Sequence, residues 1–197
     1  DMLSSALQRP MAVEFVSSEM IKYQEFITAF SSPTSCNVIR MEPLNGNALL
    51  CIESNLVFSL IDCMFGGDGK PSTRIREFTQ IEQRMIKKFA VDILTAFEHS
   101  WSTIYPVKIV LRKTETKPAF VQLVPPSDIM VIIVFTIKSQ EFSGNFHMAI
   151  PYLMLEPIKE KLSPKYLREK ETGNTWSPQL KKLLKDAQVT IIAELGR

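Results

Sequence analysis

Two hydrophobic periods alternate along the chain from residue 11 to about residue 160, one near two positions and one near 3.6. Met11–Val16 alternates as a short strand and stops at Ser17–Ser18. Met20, Tyr23, Ile27 and Phe30 then recur at helical spacing, which predicts a helix over 19–30, and Ser31–Ser35 is a turn cluster around Pro33. Asn37–Glu42 and Ala48–Ile52 read as two strands joined by the turn Pro43–Leu44–Asn45–Gly46. Ser54 is placed to cap a helix with Leu56, Val57, Leu60, Ile61, Met64 and Phe65 on one face, and Gly66–Gly67 stops it.

The second half opens on the best-marked helix, predicted over 79–103. Thr79 and Glu82 have capping-box spacing, in which the hydroxyl and the carboxylate each accept from the other residue's backbone N–H. Ile81, Met85, Phe89, Ile93, Phe97 and Trp101 recur every fourth position, and Phe78, Ile86, Ala90 and Leu94 widen the stripe. A stripe that broad is suited to packing across a sheet. Pro106 ends the helix. Val107–Arg112, Ala119–Val124, Ile129–Ile137 and Asn145–Ile150 then read as strands, and Pro151–Glu160 as a helix.

The halves echo each other. Gly46–Asn47–Ala48–Leu49–Leu50–Cys51–Ile52 resembles Gly144–Asn145–Phe146–His147–Met148–Ala149–Ile150, with apolar residues in phase. Each run follows a strand and precedes a helix, and the helices at 19–30 and 79–103 look like a further matched pair. The expected fold class is therefore α/β, a duplicated unit with pseudo-twofold symmetry, with repeats at about 1–65 and 79–160. Beyond residue 162 the pattern changes. Residues 163–188 read as a polar linker with a short helix at Leu180, Leu183, Leu184 and Ala187, and 189–197 as the first strand of a further, truncated domain.

Composition narrows the function. The 197 residues are 45% hydrophobic, enough for a real core, and a net charge of +2 does not mark a nucleic-acid binder. The longest apolar run, Ile129–Phe135, is far short of the roughly 20 residues that span a bilayer, and residues 1–10 show no secretory signal. The expected protein is soluble, with no nucleic-acid partner and no direct membrane insertion. Cys36, Cys51 and Cys63 form no CxxC and sit among apolar neighbours, as buried reduced thiols do.

Chemistry is sparse. Gly66–Gly67–Asp68–Gly69–Lys70–Pro71 holds three of the seven glycines but is no Walker A loop, because Met64 and Pro71 stand where Gly and Ser/Thr are needed. It is either a helix-ending turn or an exposed contact loop; the residues alone leave both open. His99 and His147 fit no metal-ligand spacing, no nucleophile motif is present, and the expected cofactor set is none.

Leu56–Gly69, with the run Leu-Val-Phe-Ser-Leu-Ile-Asp-Cys-Met-Phe-Gly-Gly-Asp-Gly, and the Arg76–Ile86 string resemble the middle domain of the FliM family of bacterial flagellar motor switch proteins. Pro33-Thr34-Ser35, Pro151 with its helix and Ile191–Gly196 also fit, so the resemblance runs in order along nearly the whole chain. It implies a non-enzymatic component of the cytoplasmic rotor ring, peripheral to the inner membrane, on a pseudo-twofold symmetric α/β/α sandwich related to the chemotaxis phosphatases. It further implies contact with FliG through the glycine loop, here Gly66, Gly67, Asp68, Gly69 and Lys70 with Arg76 and Phe78 nearby, and lateral contact with FliM copies. For that lateral contact we expect the helices at 19–30 and 79–103. Asp68 stands where many members have Pro. The segments that bind phosphorylated CheY and FliN in the family are expected to lie mostly outside this chain. The rival reading is a phosphatase of response-regulator aspartyl phosphate, which needs a Glu-x-x-Asn pair on a core helix. Only Glu42–Asn45 and Glu171–Asn174 have that spacing, and neither falls in a predicted core helix.

Overall fold

The structure, a computed structural model, describes residues 10–70 and 76–163. The chain divides into two units, Asp1–Ile158, which holds the whole sheet, and Lys159–Arg197, of which only 159–163 are described. The linker, helix and strand read over 163–197 therefore fall almost wholly outside the described residues.

Strand β1 (Ala12–Lys22) is longer than its local pattern suggests. Ser17 and Ser18 do not end it, because β1 runs antiparallel along all of β5 (Ile129–Lys138), with Ser17 facing Val134 and Ser18 facing Ile133. A bulge between Phe15 and Ser17 takes up Val16. Pairing along the ladder thus outweighs the turn preference of two serines. The helix expected over 19–30 contracts accordingly to α1 (Tyr23–Thr28). It starts where the Tyr23 N–H donates to the Asp128 carbonyl (2.8 Å) and the buried Tyr23 hydroxyl donates to the Val121 carbonyl (2.7 Å). Burial pushes that phenol up to about 12.

The next elements follow the pattern closely: β2 (Ser35–Glu42), β3 (Ala48–Ile52), α2 (Ser54–Met64) and α3 (Gln80–Ser102). The N-cap of α2 is Glu53 rather than Ser54, and no side chain caps it there; Asn55 Oδ1 instead accepts from the Leu56 N–H at 2.8 Å. On α3 the capping box forms as expected. After β4 (Lys108–Glu115) the strand expected over 119–124 is absent, replaced by a 3-10 turn at Pro118–Phe120. Pro118, Pro125 and Pro126 lack the N–H a ladder needs. This segment crosses a sheet face instead and buries Val121 there. Strand β6 (Ser143–Pro151) leads into α4 (Tyr152–Leu155) and a second 3-10 stretch, Glu156–Leu162, in place of one continuous helix.

All six strands form one antiparallel sheet in the order β1-β5-β6-β3-β2-β4. The sequence echo acquires a geometric meaning at its centre. Aligning Gly46 with Gly144 superposes Leu50 on Met148, and these two fully buried residues face each other across the β3–β6 pair. The same alignment converts the Leu49–Ala149 pair into Cys51–His147, which is also a pair. A twofold axis between Leu50 and Met148 thus relates β3 to β6, β2 to β5 and β1 to β4. Each half lends its outer strand to the other, since β1 lies on β5 and β4 on β2. The helices do not follow the expected matching. By position, α1 between β1 and β2 corresponds to the 3-10 turn between β4 and β5. The long α3 before β4 has no counterpart among the described residues.

One sheet face buries Cys36, Leu49, Cys51, Met130, Ile132 and Ala149 beneath Tyr23, Phe26 and Val121. The other carries α2 and α3. Leu56 of α2 lies so close to Gly144 of β6 that a Cβ there would come within 2.6 Å of the leucine's Cβ. Cys36, Cys51 and Cys63 are all buried as thiols.

Candidate functional site

The glycine loop grows directly from the end of α2. The helix delivers Met64 and then Phe65, whose φ of −86° and ψ of 7° have already left the helical region. Gly66 follows at φ +86°, a conformation that L side chains rarely adopt, and a Cβ built on it meets nothing within 4 Å. The Gly67 N–H closes the turn on the Asp62 carbonyl at 2.9 Å. Asp62 also reaches across the loop with its side chain, where Oδ2 accepts from the Gly69 N–H at 2.8 Å. A Cβ on Gly67 would fall onto that carboxylate. At Gly69, φ is +79°, and a Cβ would come within 2.6 Å of the Phe142 ring and 2.7 Å of Cys63 Sγ.

Each glycine thus has a reason inside the molecule, which corrects part of the sequence reading. Gly67→Ala is not a clean probe of partner contact, because the methyl would displace the Asp62 carboxylate that holds the loop together. The loop tip is charged and exposed: Lys70 Nζ lies 2.6 Å from Asp68 Oδ2, and the Lys70 N–H donates to Asp68 Oδ1 at 3.2 Å. The Lys70 ammonium holds the Asp68 carboxyl below its ordinary range and is itself raised by it. Residues 71–75 lie outside the described chain.

On the far side of the loop, Arg76 and Phe78 have structural employment. Both guanidinium NH groups donate to Glu82, at 2.8 and 2.6 Å, and the guanidinium lies 5.2 Å above the Phe58 ring. Phe78 is buried against Phe58, with ring centroids 5.3 Å apart. It is therefore consumed by the core and offers no anchor to a partner. Together these groups tie the start of α3 to the side of α2.

Glu82 sits at the centre of this clamp. It accepts from Arg76 and from the Thr79 N–H (2.7 Å), while its own N–H donates to Thr79 Oγ1 (3.3 Å). The Arg76 guanidinium holds its carboxyl down at about 2. A depressed carboxyl stabilises the fold above its unfolded pKa, and that contribution is lost as pH falls through the folded value. Because Arg76 is half exposed, the contribution is discounted for solvent screening: Glu82→Gln should cost about 1–2 kcal/mol at pH 7. The gap between wild type and variant should close between pH 4.5 and about 2. Urea midpoints measured for both proteins across that range check this; a gap unchanged at low pH would contradict it.

The sequence reading missed the most accessible apolar residues at the loop. Phe65 is 71% exposed and Met64 37%. Helical phase places both inward with Leu60 and Ile61, but phase loses its meaning where the helix ends: Phe65 is left largely uncovered and Met64 partly so. A large aromatic left in water beside an ordered, charged loop has the make-up of a binding surface. Among the described residues there is no cluster of metal-ligating side chains and no helix long and apolar enough to cross a membrane.

The chain matches, over residues 1–167, the family model of the flagellar motor switch protein FliM. It is similar to the flagellar motor switch protein FliM of Treponema pallidum, 33% identical over 98% of this chain and 57% of the relative. Its similarity to the protein of that name from Escherichia coli is 30% over 88% of this chain and 53% of the relative. The chain therefore spans little more than half the length of these relatives. Among solved structures, a FliG–FliM complex from H. pylori superposes with a TM-score of 0.76 at 26% identity, covering 81% of this chain and 87% of that one.

Proposed function

Because the chain belongs to the flagellar motor switch protein FliM family, we propose that it is a non-catalytic part of the rotor switch that controls the direction of flagellar rotation. In this reading it binds FliG through the end of α2 and the loop that follows, and packs beside further FliM copies in a ring. The observation that carries the reading is the exposed Phe65–Met64 pair next to a loop whose shape is fixed by Asp62, Gly66 and Gly69. Supporting it, a relative of the same fold is named as a complex with FliG.

Contact roles divide by accessibility. Phe65 and Met64 supply apolar area, Gly66 and Gly67 an approachable backbone, and Asp68 and Lys70 a charged rim. Arg76 and Phe78 act behind the surface by bracing α2 against α3. Lateral contact with neighbouring copies draws on the outer side of α3, where Ile81 is 67% and Val91 43% exposed. The expected second helix, 19–30, is not available in that form, since α1 is one and a half turns long and buries Tyr23 and Phe26. A location in the cytoplasm at the base of the flagellum belongs to the same proposal.

The phosphatase alternative has less behind it. Glu42 ends β2 and Asn45 lies in the following turn, so that pair shares no helical face; Glu171–Asn174 lies outside the described residues. The long helix α3 contains no asparagine to complete such a pair.

Sedimentation of the chain mixed with FliG, and with a phosphorylated response regulator as a second arm, tests the reading. We expect a complex with FliG at micromolar concentrations, about 8 kcal/mol of binding, and dephosphorylation at the spontaneous rate. Two folded proteins that sediment independently, or a clear acceleration of dephosphorylation, would overturn it.

A further inference from the structure

A cleft of about 560 Å³ opens on the sheet face that carries Ile132 and Ala149, beside the N-terminal end of α2. Its floor is Ile132 and Val134 of β5 and His147 of β6. Phe26 and Phe30, Glu53 and Asn55 at the start of α2, and the exposed Glu19 of β1 line the rest of it. The volume falls within the range of organic-ligand sites, roughly 300–1,000 Å³, and exceeds what a bare ion requires.

The chemistry of the lining is one-sided. Two carboxylates, Glu19 and Glu53, face the cleft, and no Lys or Arg lines it. Glu53 occupies the N-cap position of α2 yet does not cap the helix. Its Oε1 instead bonds His147 Nε2 at 2.8 Å, and no other hydrogen bond to its carboxylate is found among the described residues. His147 is in turn held by the Phe30 ring, edge to face at 5.0 Å. The arrangement fixes a half-buried carboxylate at the end of an apolar trough, with one oxygen left to accept. A cation bound there would gain a charge-assisted hydrogen bond at its head, attraction to the Phe30 ring, and burial of an aliphatic stem against Ile132 and Val134. An anion would meet two carboxylates, and a wholly apolar group would desolvate the second oxygen of Glu53 without giving it a partner.

We propose that this cleft is a second interaction site, which receives a lysine or arginine side chain of a partner protein, its stem along Phe30, Ile132 and Val134 and its charged head on Glu53. Glu19 adds long-range attraction. The site is separate from the Phe65 surface and does not depend on the FliG reading.

The chain has only two histidines, and His99 on α3 is exposed and remote from the cleft's lining. Imidazole NMR therefore carries a reporter and an internal control. Titration with n-butylammonium and n-butylguanidinium should shift the His147 signals saturably below about 50 mM, with His99 unmoved. Pentanoate and butan-1-ol, of matching length, should bind at least about tenfold more weakly, a difference of 1.4 kcal/mol. Glu53→Gln should reduce affinity for both cations about fivefold or more. Because that change also alters the bond to His147, Glu19→Gln serves as the second variant. It leaves the His147 pair intact and should weaken the cations about twofold while leaving butan-1-ol unchanged. Equal shifts from butan-1-ol and butylammonium, tighter binding of pentanoate, or no saturable cation shift in the wild type would each overturn the proposal.

Discussion

Gly69→Ala is expected to destabilise the domain by about 2–4 kcal/mol, a loss of roughly 6–12 °C in melting temperature for a domain this size. Two separate costs combine. At φ +79° the backbone occupies the left-handed region, where a Cβ costs about 1 kcal/mol or more. The methyl would also press on the Phe142 ring at 2.6 Å and on Cys63 Sγ at 2.7 Å, both buried. Gly66→Ala is the natural comparison. Its φ is similar, at +86°, but nothing lies within 4 Å of the new methyl, so only the backbone cost applies, about 1 kcal/mol. Denaturant unfolding of the two variants separates the effects. Equal destabilisation would mean that packing at Gly69 contributes nothing.

The contrast between these glycines marks how far the sequence could be read. Spacing alone locates α3 and its capping box, because Thr79 and Glu82 bond to each other's backbone, and Glu82 to Arg76, within a single turn and its approach. It also locates the centre of the sheet, because the echo of Gly46–Ile52 in Gly144–Ile150 is the pseudo-twofold axis itself. What it could not show depended on partners distant in the chain. Ser17 and Ser18 look like a strand end until β5 is laid beside them. Ala119–Val124 has strand composition, yet the prolines around it keep it out of the ladder. At the candidate site the same limit applies. Arg76 and Phe78 read as surface residues because they follow the loop in sequence, whereas Glu82 and Phe58 hold them in the protein's own packing. Phe65 was assigned to the core by a helical period that stops one residue before it. Local signals were legible where local energies decide; exposure is decided by what the rest of the chain covers.

Phe65→Ala should therefore be the most damaging single change to FliG binding, and one that leaves the domain folded. The side chain is 71% exposed, so its removal opens no core cavity and should cost under about 0.5 kcal/mol of stability. Covered by a partner, a phenylalanine buries about 150–250 Å² and, at the centre of an interface, is worth about 2–3 kcal/mol. That corresponds to a loss of roughly 30- to 150-fold in affinity. Met64→Ala, on a less exposed neighbour, should follow with a smaller loss. Ile81→Ala, on the outer side of α3, should leave FliG affinity unchanged. The direct test is titration calorimetry of FliG against the wild-type chain, Phe65→Ala and Ile81→Ala, with circular dichroism of each variant. The predicted result is a loss of at least about tenfold for Phe65→Ala alone, with native spectra throughout; wild-type affinity in a folded Phe65→Ala protein would contradict the assignment of FliG binding to the end of α2.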